Sequence, residues 1–226
     1  MLQVSDLNSG YGPAQILFDV SLQVGAGEVV ALLGRNGAGK STTLKSIMGL
    51  TDRRKGKILF RGTDISQYPP FEIARLGLGY VPEDRRIFTD LTVAENLEVG
   101  RQKRRSTTTW SPERIYALFP NLADLRHKPG GQISGGEQQM LTIGRTLMGN
   151  PHLVLLDEPS EGIAPKIVEQ MAEAIRLMTR EGVAILLSEQ NLPFARLISD
   201  RCYLLEKGEI RHAGTMADLE TGSGHP

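Results

Sequence analysis

Three short stretches of the chain combine residue types and spacings suited to phosphate chemistry. The first, Gly34-Arg35-Asn36-Gly37-Ala38-Gly39-Lys40-Ser41, has the spacing G-x-x-x-x-G-K-S of a phosphate-cradling loop. Its glycines let the backbone curl so that successive N–H groups face phosphate oxygens, and Lys40 brings a point charge to the β- and γ-phosphates of a nucleotide. Ser41 offers a hydroxyl to Mg²⁺, and Thr42 offers one to an α-phosphate oxygen. The second stretch, Leu153-Val154-Leu155-Leu156-Asp157-Glu158, is an apolar run that ends in two carboxylates. Asp157 is suited to hold Mg²⁺ through water. Glu158, one residue on in an extended backbone, is expected on the opposite face, aimed at the γ-phosphate, where a carboxylate orients and polarises the attacking water. The third, Ile133-Ser134-Gly135-Gly136-Glu137-Gln138-Gln139, has a serine cap and two glycines at a helix start, and so an exposed anion site.

These residues need strands and helices to hold them, and the apolar patterning supplies both. Glu28–Leu33 is strand-like, and after Lys40 the residues Thr43, Leu44, Ile47 and Met48 have helical spacing. Leu153–Leu156, Val183–Leu187 and Arg201–Glu206 are strand-sized apolar runs, and Ile167, Met171, Ile175 and Met178 mark a helix opened by Pro165. Strands of this kind alternating with helices predict an α/β fold with a largely parallel sheet. Leu2–Leu7 and Val20–Val24, around a turn at Gly10–Pro13, predict an antiparallel appendage. Between Glu83 and Asn150 the pattern is mostly helical. Thr92 to Glu95 and Ser134 to Glu137 have capping-box spacing, and Pro112 suits a first helical turn. This segment reads as a helical lobe inserted in the core. Arg101–Trp110 reads as a solvated loop of that lobe, and Thr221–Pro226 as a frayed tail.

Composition narrows the function further. The chain has 226 residues with 26 Lys+Arg against 26 Asp+Glu, so its formal net charge is zero and a role as a nucleic-acid clamp is disfavoured. No apolar run approaches the ~20 residues that span a bilayer. The first six residues lack the layout of a secretory signal, and Cys202 has no second cysteine to pair with, which together predict a reducing cytoplasmic setting. Glycine is enriched, at 25 residues, and five of them fall in the first and third stretches.

Taken together, the three stretches resemble the motifs of ABC-type ATPases, and the resemblance covers nearly all of the chain. It implies a single domain, 1–226, of the P-loop NTPase type: a mostly parallel central sheet, an N-terminal antiparallel β subdomain and a helical subdomain inserted at about 84–150. It also implies ATP and Mg²⁺ as cofactors. Residue by residue, Tyr11 matches the aromatic residue that stacks on adenine. Gly34, Asn36, Gly37, Ala38, Gly39, Lys40, Ser41 and Thr42 match the nucleotide loop. Ser134, Gly135 and Gly136 match the signature that caps the γ-phosphate of ATP held by the opposite subunit. Pro159–Pro165 matches the segment that crosses the dimer interface, with Ala164 where the family often has aspartate.

Two departures are informative. Glu83 stands where most ABC ATPases have a glutamine, and Gln190 where most have a histidine that contacts the γ-phosphate. A carboxylate at 83 can ligate Mg²⁺, while a glutamine at 190 donates a hydrogen bond but carries no proton. Residues 81–88, 134–139 and 188–191 look like those of ATPase subunits of bacterial branched-chain amino acid importers; Glu161-Gly162 is closer to urea or amide importers. The resemblance thus implies pairing with an identical or related ATPase subunit and docking on integral membrane permease subunits. It also implies indirect service to a periplasmic or extracellular solute-binding protein, and a location on the inner face of the membrane. The rivals are a soluble non-transport ABC protein, a P-loop kinase or GTP switch, and a subunit that binds ATP without turnover. The chain has one phosphate loop and one signature, and no acceptor-site or guanine-reading motif was found.

Overall fold

A computed structural model describes residues 1–102 and 110–221. Most of the loop expected at Arg101–Trp110 and of the tail expected at Thr221–Pro226 therefore lies outside the described residues. The strands are β1 (Leu2–Tyr11), β2 (Ala14–Val24), β3 (Val29–Leu33), β4 (Arg53–Phe60), β5 (Thr63–Asp64), β6 (Leu78–Val81), β7 (Leu153–Asp157), β8 (Ala184–Glu189), β9 (Arg201–Glu206) and β10 (Glu209–Thr215). The helices are α1 (Lys40–Ile47), α2 (Pro70–Leu76), α3 (Val93–Val99), α4 (Pro112–Leu118), α5 (Pro120–Asp124), α6 (Gly135–Leu147), α7 (Pro165–Arg180), α8 (Leu192–Ile198) and α9 (Asp218–Thr221).

A six-stranded sheet in the order β10-β9-β3-β8-β7-β6 carries the core, and every pairing in it except β9 with β10 is parallel. Every residue of β3, β7 and β8 is buried, which is why these strands are near-continuous apolar runs in the sequence. One face, with Val30, Leu32, Leu155 and Leu186, packs on Leu44, Ile47 and Met48 at α1. The other, with Val154, Leu156, Ile185 and Leu187, packs on Met140 and Leu141 of α6 and Met171, Ile175 and Met178 of α7. Strands β3, β7 and β8 are thus covered on both sides, and the two helix layers fix where their ends emerge.

The antiparallel appendage is larger than two strands. It is a four-stranded sheet, β2-β1-β4-β5, and its β2 begins at Ala14 instead of Val20. Strand β4 escapes a periodicity reading because Arg53–Lys57 runs along the solvent side, and only Ile58 and Phe60 of its eight residues are buried.

Among the described residues, four α-helices lie between β6 and β7. Thr92 and Ser134 close the reciprocal capping boxes of α3 and α6, and Ser111 caps α4 ahead of Pro112. Leu97, Ile115 and Leu122 join Met140 and Val154 in one apolar cluster, so these helices share a core with the sheet.

Candidate active site

The phosphate loop is held between β3 and α1. Gly39 opens the helix with φ 109, a left-handed conformation that costs a side-chain-bearing residue strain. A Cβ there would also come within 2.8 Å of Leu17 Cδ2. At Gly34 a Cβ would sit 2.5 Å from the Leu205 carbonyl oxygen, so β9 leaves room only for glycine. No side chain caps α1, which leaves the first-turn N–H groups directed at whatever the loop encloses.

Lys40 is 3% exposed. Its Nζ donates to the Gly34 and Arg35 carbonyl oxygens at 2.8 and 3.2 Å and pairs with Glu158 Oε1 at 3.0 Å. Three hydroxyls converge on Asp157, itself 1% exposed. Ser41 Oγ and Ser188 Oγ donate to Oδ1 at 2.8 and 2.7 Å, and Tyr80 Oη donates to Oδ2 at 3.0 Å. Ser188 stands opposite Asp157 in the β7–β8 register, which accounts for that contact.

The strand alternation expected to aim Glu158 does not reach it. Strand β7 ends at Asp157, and Glu158 has φ 44, so the alternation of an extended chain stops one residue short. The carboxylate turns to Lys40, in the cleft that Ser41 also lines. The Glu158 N–H donates to Ser188 O and Oγ, both at 3.1 Å, which holds this left-handed residue in place.

A turn follows in which the Glu161 N–H donates to the Glu158 carbonyl oxygen at 3.2 Å. It folds the Glu161 carboxyl back onto that of Glu158. Their hydrogen bond, some burial and the nearby charges of Glu158, Glu83 and Glu189 push the Glu161 carboxyl up to about 7. Glu158 Oε2 is buried and has no hydrogen-bond partner. Because the folded value lies above the ordinary 4.5, this contact stabilises the fold fully below pH 4.5 and its contribution is lost as pH rises through about 7. The nucleotide-free Glu161→Gln variant is therefore expected to gain stability relative to the parent as pH rises across that window, as read from urea midpoints. Parallel curves for the two proteins would contradict this.

The other sequence-predicted residues divide into two groups. Tyr11, at the tip of the β1–β2 hairpin and 38% exposed, lines a cleft of about 240 Å³ together with Gly37, Gly39, Lys40, Ser41, Thr42 and Glu158. Asn36 and Ala38 border the neighbouring side of the loop. Ser134, Gly135 and Gly136 are absent from that lining. They open α6 beside Arg85 and Ile167, with the Ser134 hydroxyl bonded to Glu137 Oε2 at 2.7 Å. Glu83 is exposed after β6, and its charge reaches Glu161. Gln190 is exposed, and its N–H donates to Glu189 Oε2 at 3.0 Å.

Sequence reasoning did not single out Tyr80 or Ser188 as partners of Asp157, or Glu161 as a partner of Glu158. It also missed Glu189, whose buried carboxylate accepts from the N–H groups of Ser160, Gln190 and Asn191. All but Glu161 depend on which strand lies beside which, and a single sequence carries no signal for that; Glu161 depends on the turn after β7.

A parallel sheet that feeds a glycine loop into a helix N-terminus, with a buried carboxylate two strands away touching the loop's serine, defines a P-loop nucleotide-binding protein. A family model described as ABC transporter matches residues 17–161, and the chain belongs to that family. It is an ATP-binding subunit of the family and an ATPase. The chain is 43% identical over 222 residues to the high-affinity branched-chain amino acid transport ATP-binding protein BraG of Pseudomonas aeruginosa, covering 98% of this chain and 95% of that protein. It is 37% identical over 223 residues to the probable branched-chain amino acid transport ATP-binding protein LivF of Archaeoglobus fulgidus, covering 97% and 94%. A solved ATP-binding subunit of an ABC transporter superposes with a TM-score of 0.85 at 31% identity, covering 99% of this chain and 93% of that one. Among the described residues no helix is long and apolar enough to cross a membrane.

Proposed function

We propose that this subunit hydrolyses ATP to power a membrane importer of branched-chain amino acids, working as a dimer on the cytoplasmic face of its permease. The observation that carries the chemistry is the contact set Lys40–Glu158 and Ser41–Asp157, at 3.0 and 2.8 Å. The likeness to BraG and LivF supports the solute class.

The contacts suggest an order of events. Lys40 turns from its own carbonyls and Glu158 to the β- and γ-phosphates, while the first-turn N–H groups of α1 face the phosphate oxygens. Glu158, released from the ion pair, accepts a hydrogen bond from the attacking water and takes up its proton. Gln190 acts as a neutral donor near the γ-phosphate, Glu83 senses that phosphate from the entry to the helices, and Tyr11 stacks on adenine. Among the described residues no group of three or more His, Cys, Asp or Glu could hold a metal. A cation shared between Ser41, Asp157 and phosphate oxygens, with Glu83 as a further candidate ligand, fits the usual manner of Mg²⁺, which few protein ligands hold alongside substrate phosphates. Bound there, Mg²⁺ would neutralise charge on the β- and γ-oxygens.

Ser134, Gly135 and Gly136 lie outside the cleft lining of their own chain, which supports a site completed by the signature of a second subunit. Equal mixtures of Lys40→Ala and Ser134→Arg subunits are expected to recover ATPase above either variant alone, because one of the two sites in a mixed dimer is intact. No recovery overturns the shared site.

A groove of about 380 Å³, lined by Tyr80, Phe88, Val99 and Arg145 among others, lies between α2 and the helices after β6. Phe88 and Val99 are 47% and 55% exposed, which suits this groove to a cytoplasmic segment of the permease. Reconstitution with permease and solute-binding protein in proteoliposomes tests the whole reading: ATP-dependent leucine uptake is expected. ATPase activity without uptake of any branched-chain amino acid would overturn the solute class.

A further inference from the structure

Asp157 receives its three hydroxyl donors unevenly. Ser41 and Ser188 share Oδ1, while Tyr80 alone among the described residues donates to Oδ2. We propose that Tyr80 is a positioning residue, whose hydroxyl fixes the rotation of the Asp157 carboxylate so that Oδ1 is presented to Ser41 and to the cation held there. This rests on Asp157 being the cation-side carboxylate.

The placement follows from the sheet. Tyr80 pairs with Leu155 in the parallel β6–β7 ladder, and Asp157 lies two residues further along β7, on the same face. A tyrosine is long enough to cross that diagonal. With Asp157 only 1% exposed, water has little access to replace a missing donor at Oδ2, and an unsatisfied buried carboxylate oxygen is costly. The phenol of a tyrosine ordinarily keeps its proton well above neutral pH, so the hydroxyl donates to Asp157 Oδ2. Groups that hydrogen-bond a metal-ligating carboxylate typically contribute about 10–100-fold to metal affinity. The ring of the same residue lines the groove beside Phe88 and Arg145, so one side chain spans from that surface to the cation-side carboxylate.

The test is Mn²⁺ binding to the full chain loaded with ADP, followed by electron paramagnetic resonance of free Mn²⁺, which needs no turnover. Tyr80→Phe keeps the ring and removes the hydroxyl. It is expected to weaken Mn²⁺ binding by about 10–100-fold while ADP binding in EDTA stays at the parental value. Val81→Ala, on the same strand but with its side chain in the apolar cluster with Val154 and Leu156, controls for lost packing and is expected to lower the melting temperature without moving Mn²⁺ affinity. Asp157→Asn reports on the underlying assignment. If it loses Mn²⁺ while Tyr80→Phe binds at parental affinity, the role of Tyr80 is wrong; if Asp157→Asn itself binds at parental affinity, the cation assignment falls and takes the proposal with it. Equal losses in Tyr80→Phe and Val81→Ala would also overturn it, since packing alone would then explain both.

Discussion

Replacing Lys40 with alanine is expected to destabilise the nucleotide-free protein by about 3–5 kcal/mol, the usual cost of removing one partner from a buried ion pair. The side chains of Lys40 and Glu158 are 2% and 7% exposed, and their contact is 3.0 Å. Without the ammonium, the Glu158 carboxylate is left in a site where Oε2 already lacks a donor. Neutralising the carboxylate as well removes the cause, so Lys40→Ala/Glu158→Gln is expected to recover much of the loss, a non-additivity that marks direct coupling. Urea unfolding of the four proteins in EDTA checks this. Equal destabilisation of the single and double variants would show that the ion pair is not what Lys40 contributes.

Glu158→Gln is expected to lower ATP turnover by about 10²–10⁴-fold, the range associated with losing a positioned general base, while ATP still binds. Glutamine matches the shape of glutamate and cannot take a proton from water. Lys40 loses its carboxylate partner but keeps the Gly34 and Arg35 carbonyls and remains available to phosphate. ATP should therefore persist in the shared sites and hold two chains together, visible as a dimer in size-exclusion chromatography with ATP and as slow phosphate release. Parental turnover in this variant would remove Glu158 from the chemistry.

The phosphate loop was legible in the sequence because its chemistry belongs to contiguous residues, and backbone N–H groups need only glycines and a following helix to be aimed. Strands β3, β7 and β8 were legible because covering both faces of a parallel sheet leaves an apolar run. Strand β4 was not, since its first five residues face solvent, where charge is permitted. The two carboxylates after Leu156 were found, but the backbone that aims the second was not: the left-handed turn at Glu158 is held by its N–H bonding to Ser188 across the sheet. The contacts of Tyr80 and Ser188 with Asp157 depend on strand register, and the fold-back of Glu161 depends on that same turn. A carboxyl pushed up to about 7 is invisible until the turn has brought it to Glu158.

The helix that begins at Lys40 has no side-chain cap. Its open N–H groups, together with a buried lysine that a phosphate can claim, tie the lifetime of the chain to nucleotide supply. Whatever binds only the folded form stabilises it by about 2.7 kcal/mol at a hundred times its dissociation constant. ADP presents phosphates to the same N–H groups as ATP, so either nucleotide lends that support, and resistance of the chain to proteolysis should rise with the concentration of either.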